Sequence, residues 1–155
     1  MNIEDLKSIM DAFDPASLLP EMESVLNALT VAVRVATLVG PIVLMMLGLG
    51  YLIFAPKEAN YLFGYRCAFG MGSVEAWRFT QRLAGITWSV LGLVLSIAMI
   101  LLTQKFGQLN AYDVVWTGAK YILWEAGLVA VSCLFINTVV MMQFTYDGEL
   151  RRDRR

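Results

Sequence analysis

Histidine is absent from this chain of 155 residues. With it go the commonest metal ligand, the commonest general base and the side chain that titrates near neutral pH. Charge is scarce too, at 16% of residues against about 25% in an ordinary soluble domain. Twelve Lys and Arg face thirteen Asp and Glu, a formal net charge of −1, so the chain has no basic footprint and no nucleic-acid partner is expected. The two cysteines are Cys67, in a polar loop, and Cys133, in an apolar run. They are expected at different depths, which argues against a disulfide, and no CxxC-type metal spacing is present. No cofactor or metal site is expected. Nothing resembles a nucleophile–base pair, so the chain does not read as an enzyme.

What the chain has in abundance is apolar length: 58% hydrophobic residues and a mean hydropathy of +0.62. A helix needs about 20 apolar residues to cross about 30 Å of hydrocarbon. Three runs qualify, at residues 35–55, 83–103 and 121–144. The expected fold is all-α, a polytopic membrane protein with three transmembrane helices and an acidic N-terminal amphipathic helical segment. It divides into an extracytoplasmic segment (1–34), a three-helix membrane domain (35–146) and a cytoplasmic tail (147–155).

Orientation follows from where the cations lie. The first loop and the tail carry Lys57, Arg66, Arg78, Arg82, Arg151, Arg152, Arg154 and Arg155, whereas the other side has only Lys7, Arg34, Lys105 and Lys120. This bias places the first loop and tail in the cytoplasm and the N-terminus outside. In the N-terminal segment Ile3, Leu6, Ile9, Met10 and Phe13 share one helical face. Its other face is acidic rather than cationic, which points to folding back on the bundle or to a protein contact, not to an anionic lipid surface. Asp14-Pro15 breaks the pattern, and Pro20 with Glu21 and Glu23 marks a second helix start that can run through Arg34 into the membrane. In the second loop Tyr112, Trp116, Tyr121 and Trp124 read as interfacial anchors, and the tail from Asp147 as a solvated end.

Within lipid, helices associate through close backbone approach and polar contacts. The second crossing offers a stripe of Gly85, Ser89, Gly92 and Ser96, and the third a stripe of Ala126, Ala130, Cys133 and Asn137. The two are expected to face each other as an antiparallel pair. Glu125, the one acid inside an apolar run, is an intramembrane site candidate by default. It also lies near enough to the boundary to reach interfacial water or Lys120. Asn137 is expected to make an interhelical hydrogen bond.

The first loop, residues 56–82, carries most of the chemistry. Gly64 permits a tight turn, and Asn60 can bond local backbone. Ser73 can cap a helix with Glu75 in its first turn. That helix is expected to continue into the second crossing with Trp77, Gln81, Ala84 and Trp88 on one face and Arg78 and Arg82 on another. Tyr65 and Trp77 are expected at headgroup level. Arg66, Arg78 and Arg82 are expected to pair with Glu58 and Glu75 or to bind lipid phosphate.

Pro56-Lys57, Asn60, Gly64-Tyr65-Arg66, Glu75-Ala76-Trp77 and Arg82-Leu83-Ala84-Gly85 together resemble the signature of the SdpI family. These small bacterial membrane proteins are named for an immunity protein against a secreted killing factor. The likeness spans about thirty residues between two membrane helices, where the family carries its motif. Cys67-Ala68 stands where Thr-Pro is usual, and Thr80-Gln81 where Ala-Asn is usual. The resemblance implies a non-enzymatic protein of the bacterial inner membrane that gives immunity to, or senses, a membrane-active toxin or envelope stress. Its partners would be membrane lipids and a toxin, a sensor or a second copy. The alternative reading is a small accessory subunit of a larger membrane complex.

Overall fold

The computed structural model describes residues 15–60 and 62–151, with side chains from residue 22 onward. Three helices account for most of it: α1 (Pro15–Ile53), α2 (Val74–Leu102) and α3 (Ala111–Gln143). Each contains a stretch apolar enough to cross a membrane, of mean hydropathy 2.1, 2.3 and 1.8 in chain order. At a rise of about 1.5 Å per residue even the shortest exceeds the roughly 30 Å of hydrocarbon, so all three reach into the headgroup layers. Their outer faces bear exposed Val35, Val39 and Ile42, Val90, Leu93 and Ile97, and Val131, Leu134 and Phe135, as suits lipid contact. Among the described residues there is no strand, only an isolated bridge between Phe144 and Leu150. The all-α, three-span architecture is that expected.

The amphipathic segment expected over residues 3–13 lies outside the described residues. Beyond it, α1 runs from Pro15 past Pro20 and Arg34 to Ile53 without a break, so Pro20 does not begin a separate helix. Arg34 is not merely a boundary cation. Its Nε donates to the Thr103 carbonyl (3.0 Å) and its Nη2 to that of Gln104 (3.3 Å). These carbonyls follow the end of α2, where the helix dipole favours a cation and orphan acceptors need donors. A 3₁₀ turn, Thr103–Gln108, leads on to Asn110, whose side chain caps α3 by accepting from Asp113 N at 2.9 Å. Phe106 is buried there and stacks on Tyr121, while Tyr112, Trp116 and Trp124 stay exposed.

Helix packing departs from the expected pairing. The α2 stripe faces α1, not α3. A Cβ at Gly92 would fall on the Pro41 carbonyl and the Met45 backbone, one at Gly85 on Leu52, and one at Gly48 on the backbone at Ser89. Ser96 is buried one turn further along and donates to the Gly92 carbonyl. The stripe on α3 is displaced as well: Ala126, Ala130 and Asn137 are exposed and Cys133 only half-buried. The buried row is Glu125, Ser132, Ile136 and Val140, one residue, or about 100° of helix, away. Near its start α3 rests Gly118 on Val33 of α1; near its end Ile136, Val140 and Phe144 fill the space over Ala76 and Ala84 of α2. Since the small residues of α2 are already covered by α1, α3 contributes large apolar side chains to the remaining face.

Candidate functional site

The motif loop, residues 56–73, and the start of α2 form an ordered platform at the end of the bundle away from Arg34. Its local geometry follows from the sequence. Asn60 Oδ1 accepts from the backbone N–H groups of Leu62 and Phe63, both at 3.0 Å, closing an Asx-type turn. Gly64 has φ +125°, a conformation that a side chain rarely adopts. A Cβ there would also strike the Trp77 ring and Gln81 Oε1. Ser73 caps α2 by accepting from Ala76 N at 3.1 Å, with Glu75 in the first turn.

Trp77 is fully buried and donates from Nε1 to the Pro56 carbonyl at 2.8 Å. The ring therefore faces the protein interior and not lipid, and it pins the loop to the bundle. Gln81, not singled out as a site residue, is the other pin. Its Nε2 donates to the Tyr65 carbonyl and its Oε1 accepts from Tyr65 N, each at 2.8 Å. The side-chain amide thus stands in for a strand partner and holds Tyr65 in place. The available signal was its place in the resemblance described above, opposite a usual Asn, since either amide can offer both a donor and an acceptor.

Tyr65 carries the loop onto α3. Its hydroxyl donates toward the Cys133 carbonyl (3.2 Å) and Asn137 Oδ1 (3.0 Å), so Asn137 bonds across to the motif loop rather than to a neighbouring helix. Burial and the neighbouring Cys133 push the Tyr65 hydroxyl well above its ordinary range, so it remains a neutral donor. The rings of Phe63, Tyr51, Trp88 and Tyr65 pack in series with centroids 5.3–5.6 Å apart. Trp88 also donates to Ser132 of α3 at 3.1 Å.

The tail closes the platform. Ser73 Oγ donates to the Gly148 carbonyl at 2.8 Å, a Cβ at Gly72 would fall on the backbone at Tyr146 and Gly148, and Leu150 packs on the core. Arg151 Nε donates to the Phe144 carbonyl. Through Arg151 the tail is therefore docked, not a solvated end. It is held by backbone contacts that its polar sequence does not advertise.

The cations are arranged differently from expectation. Among the described residues neither Arg78 nor Arg82 is ion-paired with Glu58 or Glu75; Arg78 Nε donates instead to the Lys57 carbonyl. Lys57, Arg78 and Arg82 line one groove of about 550 Å³ between the ends of α1 and α2, with Tyr51 and Gln81 in its wall and no acid. Arg66 is exposed outside this groove, close enough to Tyr51 to interact electrostatically. Glu75 lines a second groove that shares Arg78 and Arg82. Glu125 lies far from all of these, under Gly40 of α1.

Cys67 and Cys133 are both free thiols. Burial pushes the Cys67 thiol above the usual thiol range, outweighing the hydrogen bonds from Gly70 and Thr80 that lower it. In a Cys133→Ala chain, the alkylation rate of Cys67 is therefore expected to level off at a higher pH than that of an exposed reference cysteine under the same conditions. Gln81→Leu, which strips both partners from Tyr65, is expected to loosen the loop by about 1–3 kcal/mol and speed the reaction at neutral pH. A plateau at the same pH as the exposed reference or lower, or no response to Gln81→Leu, would contradict this account of the loop. Alkylation followed by intact mass reads both.

No curated protein and no solved structure matches the chain. The sequence model of the SdpI/YfhL protein family matches residues 57–143, from the cationic start of the motif loop to the last residue of α3. The matched region covers more than half of the chain and contains the Asn60 turn, the Gly64–Trp77 contact, the Tyr65–Gln81 pairing and the Tyr65 bridge to α3. This chain belongs to the SdpI/YfhL protein family.

Proposed function

We propose that this chain is a non-enzymatic protein of the bacterial inner membrane that protects the cell against, or senses, a membrane-active toxin or envelope stress. The observation that carries this reading is the family match over the very residues that build the platform. The excess of cations at the platform end supports a cytoplasmic loop and tail with the N-terminus outside. The acid-free groove of Lys57, Arg78 and Arg82 supports a second element of the reading: it holds an anionic lipid headgroup and sets the bundle's depth in the inner leaflet.

Expression in a toxin-sensitive bacterial host tests the reading. Survival across a panel of membrane-active peptides is expected to rise with the wild-type chain. It is expected to fall back toward the control in the Arg78→Gln/Arg82→Gln double variant. Unchanged survival across the panel counts against the protective reading. A stoichiometric protein partner on purification in mild detergent would then favour an accessory subunit of a larger complex.

A further inference from the structure

A third groove, unrelated to the platform, opens between α1 and α3 toward the other end of the bundle. Its volume is about 490 Å³, and its walls include Pro41, Leu44, Leu47, Ala126 and Val129. Its lining carries a single ionisable residue, Glu125. That side chain is only 6% exposed, and its Oε1 is buried with no hydrogen-bond partner. The other carboxyl oxygen occupies the space left by Gly40, where a Cβ would come within 3.1 Å of it. Lys120, the nearest cation in sequence, is engaged elsewhere: its Nζ lies 5.5 Å over the Trp116 ring.

A carboxyl group buried among apolar side chains without a donor is costly, and in a membrane segment it marks a site that something else completes. Val43, Leu47 and Ala126 on the rim are exposed apolar side chains on the outer face of the membrane-spanning stretches, which suits entry from the hydrocarbon. We infer that this groove binds a lipophilic amine, a bilayer-dissolved molecule whose apolar body lies along α1 and α3 while its ammonium donates to Glu125. The lining sets both halves of that specificity. Aliphatic walls select an apolar body, and a lone carboxylate asks for a charge-compensating donor, which an ammonium supplies and an alcohol does not. The volume falls within the roughly 300–1,000 Å³ usual for small-molecule sites. A flat helix laid across the rim would leave the sunken carboxyl unpaired, whereas a slender amine reaches it. This inference stands apart from toxin protection, and neither depends on the other.

Photolabelling of the full chain in phospholipid nanodiscs tests it, using a diazirine-bearing alkylamine with dodecylamine and dodecanol as competitors. Labels are expected to concentrate in residues 40–47 and 122–130, and to be displaced by dodecylamine but not by dodecanol. Glu125→Gln is expected to weaken dodecylamine competition about tenfold or more, as loss of a charged hydrogen bond implies. Ala130→Leu fills the groove without touching the carboxyl and is expected to suppress labelling in a normally folded bundle. It therefore decides the matter even where Glu125→Gln fails to fold. Labels spread evenly along the helices, equal competition by dodecanol, or full labelling of folded Ala130→Leu would each overturn the inference.

Discussion

Gly92→Leu is expected to destabilise the bundle by roughly 3 kcal/mol or more, the upper part of the range for overpacked cores. The obstruction is backbone, not the end of a flexible side chain. A Cβ at Gly92 falls on the Pro41 carbonyl and the Met45 N and Cα, so α1 and α2 must move apart along their length. Separation would also lift Gly48 from Ser89 and Gly85 from Leu52, because the three contacts lie along one seam. Close approach is a main source of cohesion between helices in lipid, where apolar burial contributes little. Gly127→Ala provides the contrast. Nothing lies within 4 Å of the added Cβ, so the change is expected to be neutral or stabilising by up to about 1 kcal/mol through helix propensity. Thermal or SDS-induced unfolding in mild detergent measures both, and equal stability of the two variants would refute the α1–α2 seam.

Trp77→Ala is expected to cost about 3–5 kcal/mol, as for other large-to-small changes at fully buried aromatics. The loss has two parts. A cavity opens beneath the Gly64 turn, which rests on the ring, and the Pro56 carbonyl loses its donor. Trp77→Phe separates them, since it retains most of the packing and removes the indole N–H, with an expected cost of about 1 kcal/mol from the hydrogen bond. By contrast Trp124, 72% exposed on α3, is expected to tolerate alanine within about 0.5 kcal/mol in detergent. The same unfolding measurement applies. Comparable losses for Trp77→Ala and Trp124→Ala would show that Trp77 is another interfacial ring and not the pin of the loop.

The two tryptophans also show where sequence reading stopped. In a soluble protein, hydrophobic periodicity separates the buried face of a helix from the exposed one. Here lipid and core are both apolar, so the pattern on α3 did not reveal that Ile136 and Val140 turn inward while Ala126 and Ala130 turn out. A rule based on small residues selected a row one residue away from the buried one. Trp77 likewise has the composition of a headgroup anchor; only the Gly64 turn and Pro56, brought back over it, make it a core residue. Local features were more legible. The Asn60 turn, the Ser73 cap and the continuation of the loop helix into α2 each depend on residues within a few positions of one another.

Three membrane crossings and the family motif were readable from the chain because apolar run length and turn chemistry are written in consecutive residues. The partners of the polar groups were not. Arg34 bonds to carbonyls 69 and 70 residues on, Gln81 holds Tyr65 from 16 residues away, and Tyr65 reaches α3 across 68 and 72 residues. Glu125 was conspicuous in the sequence, but its lack of a partner and its place in an apolar groove were not. Those matters belong to the tertiary structure, because a donor meets its acceptor only after the helices have chosen which faces to bring together.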